Sequence, residues 1–304
     1  MGKAERNRRQ SAQEKIAAQR AAARRAERRR RGLIVGGSVI AVIAVVVAFV
    51  LVKTLSTTSP SSSSAADSPA GTALASNVVS NVTSVPASAL DAVGTGTTYK
   101  GAIQVIKGGT LLTSDGKPHV VYVGAEYCPY CAAERWAMTI ALSRFGTFTN
   151  LHFIHSAPSP EVYPNTPTLT FYKSTYTSKY LVFSPTEQET VTHAALENLT
   201  TLDNQLMGKY DVPPYVPNSQ YDGSFPFVDF GNKYVIDGAS YSPQVLAGAT
   251  WSQVATALKD PSSPIAKGVD GAANLITAAI CKITNGKPAN VCTSAAVTAA
   301  SGAI

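Results

Sequence analysis

Cys128 and Cys131, in Cys128-Pro129-Tyr130-Cys131, are the residues whose type and spacing are best suited to chemistry. Two thiols separated by two residues can alternate between dithiol and disulfide. Residues 119–125 read HVVYVGA, a buried strand bounded by polar residues. Residues 132–142 read AAERWAMTIAL, rich in helix formers. Cys128 is therefore expected at a helix N-terminus, where free N–H groups and the helix dipole stabilise a thiolate. Cys131 falls one turn further on, and Pro129 fits the first turn because its missing N–H needs no partner there. In thiol–disulfide exchange Cys128 would attack and Cys131 would resolve the mixed disulfide. Two other uses of such a pair are a static disulfide and half of a metal site. A structural zinc needs four ligands, usually as two close pairs. Cys281 and Cys292 lack that spacing, so no metal is expected.

Around the motif, Glu126 is the nearest acid upstream. Tyr130 is expected to be exposed and to line the substrate surface. Arg135 is placed to lower a thiol pKa, although Glu134 and Arg135 together read as a solvated helix face. Trp136 reads as core. His152 and His155 point to opposite faces of a strand, which argues against a shared metal. The acids form no convincing pair, and no phosphate loop, nucleophile elbow or HExxH motif occurs. Cys281 and Cys292 enclose ten residues and read as a structural staple. Such a bridge contributes about 2–4 kcal/mol. Its alternative is a second redox pair relaying electrons to or from Cys128 and Cys131.

The chain has 304 residues and a net charge of +7, spread unevenly. Residues 1–31 hold 12 of the 26 Lys and Arg against three Glu, a local balance of +9. The remainder has 14 basic and 16 acidic residues, a balance of −2, so the basicity belongs to a tail and no nucleic-acid partner is expected. Leu33 to Val52 is 20 residues without a charge, long enough to span a hydrocarbon core of about 30 Å. A secretory signal has a shorter apolar region and a cleavage site, so this run reads as an uncleaved single-pass anchor. Arg28 to Arg31 abut it on one side and Lys53 stands alone on the other. The positive-inside rule then puts the N-terminus in the cytoplasm and everything after Lys53 outside the cell membrane. Four cysteines facing outward fit an oxidising compartment.

The expected domains are a basic tail over 1–31, a transmembrane helix over 32–53, and a Ser/Thr/Pro/Ala-rich flexible linker over 54–89. A folded domain follows over 90–260, with a helical extension over 261–304. Strands are predicted over 102–106, 119–125 and 151–155, then over 168–172 and 180–183 around a polar turn at 173–179. Helices are predicted over 132–144, 187–207 and 243–258, with a hairpin over 225–230 and 233–236 around Gly231-Asn232. Strands alternating with helices argue an α/β domain.

That order, with the Cys-X-X-Cys motif at a strand-to-helix junction, resembles the thioredoxin superfamily from about Leu111 to Lys259. The resemblance implies a thioredoxin-like fold with residues 167–185 as a β-hairpin insertion and a disulfide-stapled helical extension. It also implies a cis-proline beside the cysteines. Pro226 fits best because a helix separates it from the preceding strand; Pro167 is its rival. Many thioredoxins carry a buried acid six residues before the first cysteine, where this chain has Tyr122. The segments over 124–138 (GAEYCPYCAAERWAM) and 278–292 (AAICKITNGKPANVC) are similar to a family of membrane-anchored thioredoxin-like proteins of unknown function. The implied function is a membrane-tethered thiol–disulfide oxidoreductase without a cofactor. Its partners would be outward-facing protein thiols or disulfides and a membrane redox partner. The alternative is a redox-inactive binding or scaffold module with a permanent disulfide.

Overall fold

The computed structural model describes residues 72–304. The basic tail, the apolar span at 32–53 and the linker as far as residue 71 lie outside the described residues. The described residues begin with α1 (Thr72–Thr83) and α2 (Ala87–Val93), followed by β1 (Gln104–Val105), β2 (Thr113–Ser114) and β3 (Lys117–Gly124). Next come α3 (Pro129–Ser143), β4 (Gly146–Thr149), β5 (His152–His155), β6 (Pro167–Thr170), β7 (Thr175–Ser178) and β8 (Val182–Glu187). After α4 (Thr201–Tyr210) follow β9 (Phe227–Phe230), β10 (Tyr234–Asp237) and α5 (Trp251–Ala257). The chain closes with α6 (Pro264–Ile283), α7 (Ala289–Cys292) and α8 (Ala295–Ser301).

The main sheet is mixed. It runs β1-β10-β9-β3, with β8 on the other side of β3 and β2 pairing the start of β3. β3 is parallel to β8, Val120 lying opposite Phe183 and Gly124 opposite Glu187. β3 is antiparallel to β9, and β9 to β10. A strand with a neighbour on each side and helices above and below is buried on both faces, which is why β3 reads as a continuous apolar run. Val120 and Tyr122 join the larger core with Trp136 of α3. Val121 and Val123 meet Leu206 and Met207 of α4 on the other face. α6 packs along α3 and carries α8 beside it. The Cys281–Cys292 bridge ties the end of α6 to α7, with Cα atoms 5.6 Å apart.

Four expectations need correction. The linker predicted over 54–89 gives way to helix at Thr72, and Val78, Val82 and Leu90 are buried in the core. Paired apolar residues on two short helices suffice for that, although the segment is poor in large side chains. Second, the strands predicted over 168–172 and 180–183 lie apart, and β8 is instead the parallel partner of β3. β5 pairs with β6, and β4 with β7, in two small antiparallel sheets of their own. The 168–172/180–183 hairpin does not form, and residues 167–185 are no simple insertion. β7 (TYTS) has no apolar run to mark it; Phe148 and Tyr176, with ring centres 4.8 Å apart, seal its pairing with β4. Third, the helix predicted over 187–207 begins only at Thr201. Thr200 and Asp203 form a capping box there that satisfies its first N–H groups. Fourth, the helix predicted over 243–258 is a 3-10 turn, Pro243–Leu246, and α5, separated at Gly248 with φ +70°. The hairpin predicted over 225–236 is present as β9 and β10, with Gly231 and Asn232 both at positive φ in its turn. Among the described residues, no helix is long and apolar enough to cross a membrane.

Candidate thiol site at the start of α3

β3 ends at Gly124, and the chain passes through Ala125, Glu126 and Tyr127 into α3. Cys128 is the N-cap of that helix. Its Sγ accepts the Cys131 N–H at 3.2 Å, and Pro129 occupies the first turn. Cys128 is 6% exposed and Cys131 is fully buried; both are free thiols here. Burial pushes the Cys128 thiol up. The Cys131 thiol and backbone N–H, the Arg135 guanidinium and the Tyr130 N–H pull it down, and its net pKa is lowered. Cys131 goes the other way. Burial and the neighbouring Cys128 raise it well above the ordinary thiol value. The pair therefore holds one thiol poised to ionise and one held protonated, which is the division of labour that exchange requires.

The Phe225–Pro226 peptide is cis, and the Phe225 carbonyl oxygen lies 3.9 Å from Cys128 Sγ. Pro167 instead opens β6, and its carbonyl accepts the Trp136 indole N–H at 2.8 Å. Tyr130 is 38% exposed and meets the Tyr163 ring edge-on. A cavity of about 520 Å³ opens beside Cys128. Aromatic side chains dominate its lining: Tyr99, Tyr127, Tyr130, Tyr221 and Phe225. No charged residue lines it. Tyr99 and Tyr221 lie 29 residues before and 93 after Cys128, so no local sequence signal joined them to the motif.

Glu134 and Arg135 are not a solvated face. Both are fully buried, because α3 is covered by the sheet on one side and by α6 and β6 on others. Glu134 accepts the Ser240 N–H and hydroxyl, each at 2.8 Å, and burial pushes its carboxyl up to about 7. Arg135 donates from Nε and Nη2 to the two oxygens of Glu187, at 2.7 and 2.9 Å, and from Nη2 to the Ala125 carbonyl at 2.6 Å. Its Nη1 and the Tyr122 hydroxyl are buried without hydrogen-bond partners. Charge on Arg135 favours both thiolates, and charge on Glu187 opposes ionisation of Cys131. Glu187 ends β8, 56 residues after Cys131, and the sequence reading placed it at the start of a helix. Glu126 is buried and binds through its N–H to the Glu189 carbonyl, so its contribution is to the turn before the motif. Cys281 and Cys292 are bonded to each other at the far end of α6.

Neither the curated proteins nor the solved structures contain a match to this chain. Residues 106–282 match the model of a domain of unknown function (DUF929). That region spans the motif, the sheet from β2 onward and α6 as far as the first cysteine of the bridge, more than half of the chain, and the chain belongs to this family.

Proposed function

We propose that the chain is a membrane-tethered thiol–disulfide oxidoreductase of thioredoxin-like fold, acting outside the membrane through Cys128 and Cys131. The observation that carries this reading is the opposed pair of thiols. Cys128 has a lowered pKa and faces an aromatic cavity; Cys131 is buried, one turn along the helix, with a raised pKa. The strand order β8-β3-β9-β10, with β3 and β8 parallel and cis-Pro226 leading into β9, supports the fold assignment. The Cys281–Cys292 bridge supports an oxidising compartment, and Leu33 to Val52 supports the tether.

In the reducing direction the Cys128 thiolate attacks one sulfur of a substrate disulfide. A new S–S bond forms and one substrate thiolate leaves. Cys131 then gives up its proton, which the departing thiolate takes up, and attacks Cys128 Sγ. The second substrate thiolate leaves, and the Cys128–Cys131 disulfide holds the oxidised state. The same steps in reverse deliver a disulfide to a substrate dithiol. Arg135 stabilises negative sulfur on either cysteine, and the uncharged cavity admits chain beside the attacked bond. Cys128→Ser is expected to abolish exchange with a disulfide-bonded test protein, while Cys131→Ser is expected to accumulate mixed disulfides at Cys128. Full exchange by the Cys128→Ser chain would overturn the reading, and a pair that no reductant opens in the folded protein would support a scaffold.

A further inference from the structure

Two segments wall the cavity beside Cys128. One is the loop after α4, which contributes Tyr221, Gly223, Ser224 and Phe225; the other is the turn after β10, with Gly238 and Ala239. An aspartate stands at the root of each. Asp211 follows the last residue of α4 and is fully buried. Asp237 ends β10 and lies opposite Phe227 in the ladder, one residue past Pro226. The two carboxyls are within hydrogen-bonding reach of each other. All four oxygens are buried, and no side-chain donor satisfies any of them. The Ser224 backbone N–H lies beside Asp211, and the exposed Asp222 also faces it. Neither acid makes an ion pair among the described residues.

A carboxylate can only accept a hydrogen bond, so two of them bond to each other only with a proton between them. Two bare charges at this site would repel in a low dielectric, with no cation to offset them. We propose that Asp211 and Asp237 share a proton and so latch together the two walls of the Cys128 cavity, and that loss of this proton frees the loop over 212–225. The inference deepens the thiol-exchange reading by naming what regulates access to Cys128, and rests on that reading only for what the cavity admits. Burial and the neighbouring carboxyl push Asp211 up to about 8, and burial pushes Asp237 up to about 7; such a pair titrates jointly. The latched state thus holds a proton that the open state releases above the ordinary carboxylate range. In that window opening rises about tenfold per pH unit for each proton released.

The test is hydrogen exchange of the full chain, read by mass spectrometry as protection factors for peptides within 212–225. Between pH 5 and 7, below both folded values, protection is expected to fall up to about tenfold per pH unit for each of the two protons released, while that of β3 stays level. Asp237→Asn gives Asp211 a neutral amide donor and is expected to flatten the dependence; Asp211→Asn does so from the other side. A flat wild-type profile, or an undiminished slope in both variants, would overturn the latch. So would protection that calcium raises and a chelator removes, since the acids would then hold a cation. The Cys128→Ser chain should give the wild-type slope, so the latch and thiol exchange fail separately.

Discussion

At the scale of single residues, the cysteine motif was legible because its chemistry is local. A strand pattern, two thiols and a run of helix formers lie within 24 residues, and they place Cys128 at a helix N-terminus without further information. Arg135 and Glu134 were misread for the opposite reason. Their partners, Glu187 and Ser240, lie 52 and 106 residues away, and a charged helix residue with no visible partner reads as solvated. Tyr122 is the sharper case, since its hydroxyl is buried beside a guanidinium and has no hydrogen-bond partner. Leaving a buried hydroxyl unsatisfied costs about 1–3 kcal/mol. Tyr122→Phe is therefore expected to raise stability in chemical denaturation by about 1 kcal/mol. A loss of comparable size would mean that the hydroxyl is bonded, and that Tyr122 does work for which no partner is visible.

At the scale of elements, α3 is what positions the site, and it does so as a core helix. Its start is fixed by the Cys128 cap and Pro129, and its flank by the Arg135–Glu187 pair, which ties it to the end of β8. Breaking a buried ion pair by removing one partner costs about 3–5 kcal/mol, because the other charge stays buried and uncompensated. Glu187→Ala is expected to lower stability by that order and, by leaving Arg135 unneutralised, to lower the Cys131 pKa. Thiol titration of the folded chain would show the second effect, which a purely structural loss would not produce. Long-range pairing also explains why only the start of β8 was legible, as a strand over 180–183. Parallel partners are joined by long crossovers, and here the crossover contains α3 together with β4 to β7. Hairpin β9–β10 was legible because its turn is marked by Gly231-Asn232.

At the scale of the molecule, buried acids are the unusual feature. Burial pushes Glu134, Asp229 and Asp237 up to about 7, and Asp211 and Asp270 up to about 8. Each has a folded-state pKa above its unfolded value of about 4, so the native state holds extra protons between about pH 4 and 8. That stability is complete below the unfolded pKa and is lost as pH rises through the folded values. The midpoint of thermal unfolding is expected to be higher at pH 5.5 than at pH 8; equal midpoints would show that these acids ionise without cost. Composition gave no hint of this, since a balance of −2 after residue 31 says nothing about which acids are inside. The division into tail, apolar run and folded part rests on composition, whereas the packing of α1 and α6 rests on long-range burial that no window of sequence contains. The most direct test of the central claim is a redox titration of the folded chain, with Cys128 and Cys131 counted by mass-tagging of free thiols. The pair is expected to open reversibly, without unfolding, at a potential within the oxidoreductase range of about −270 to −120 mV, while Cys281–Cys292 stays closed. A Cys128–Cys131 bond that opens only as the domain unfolds would contradict it.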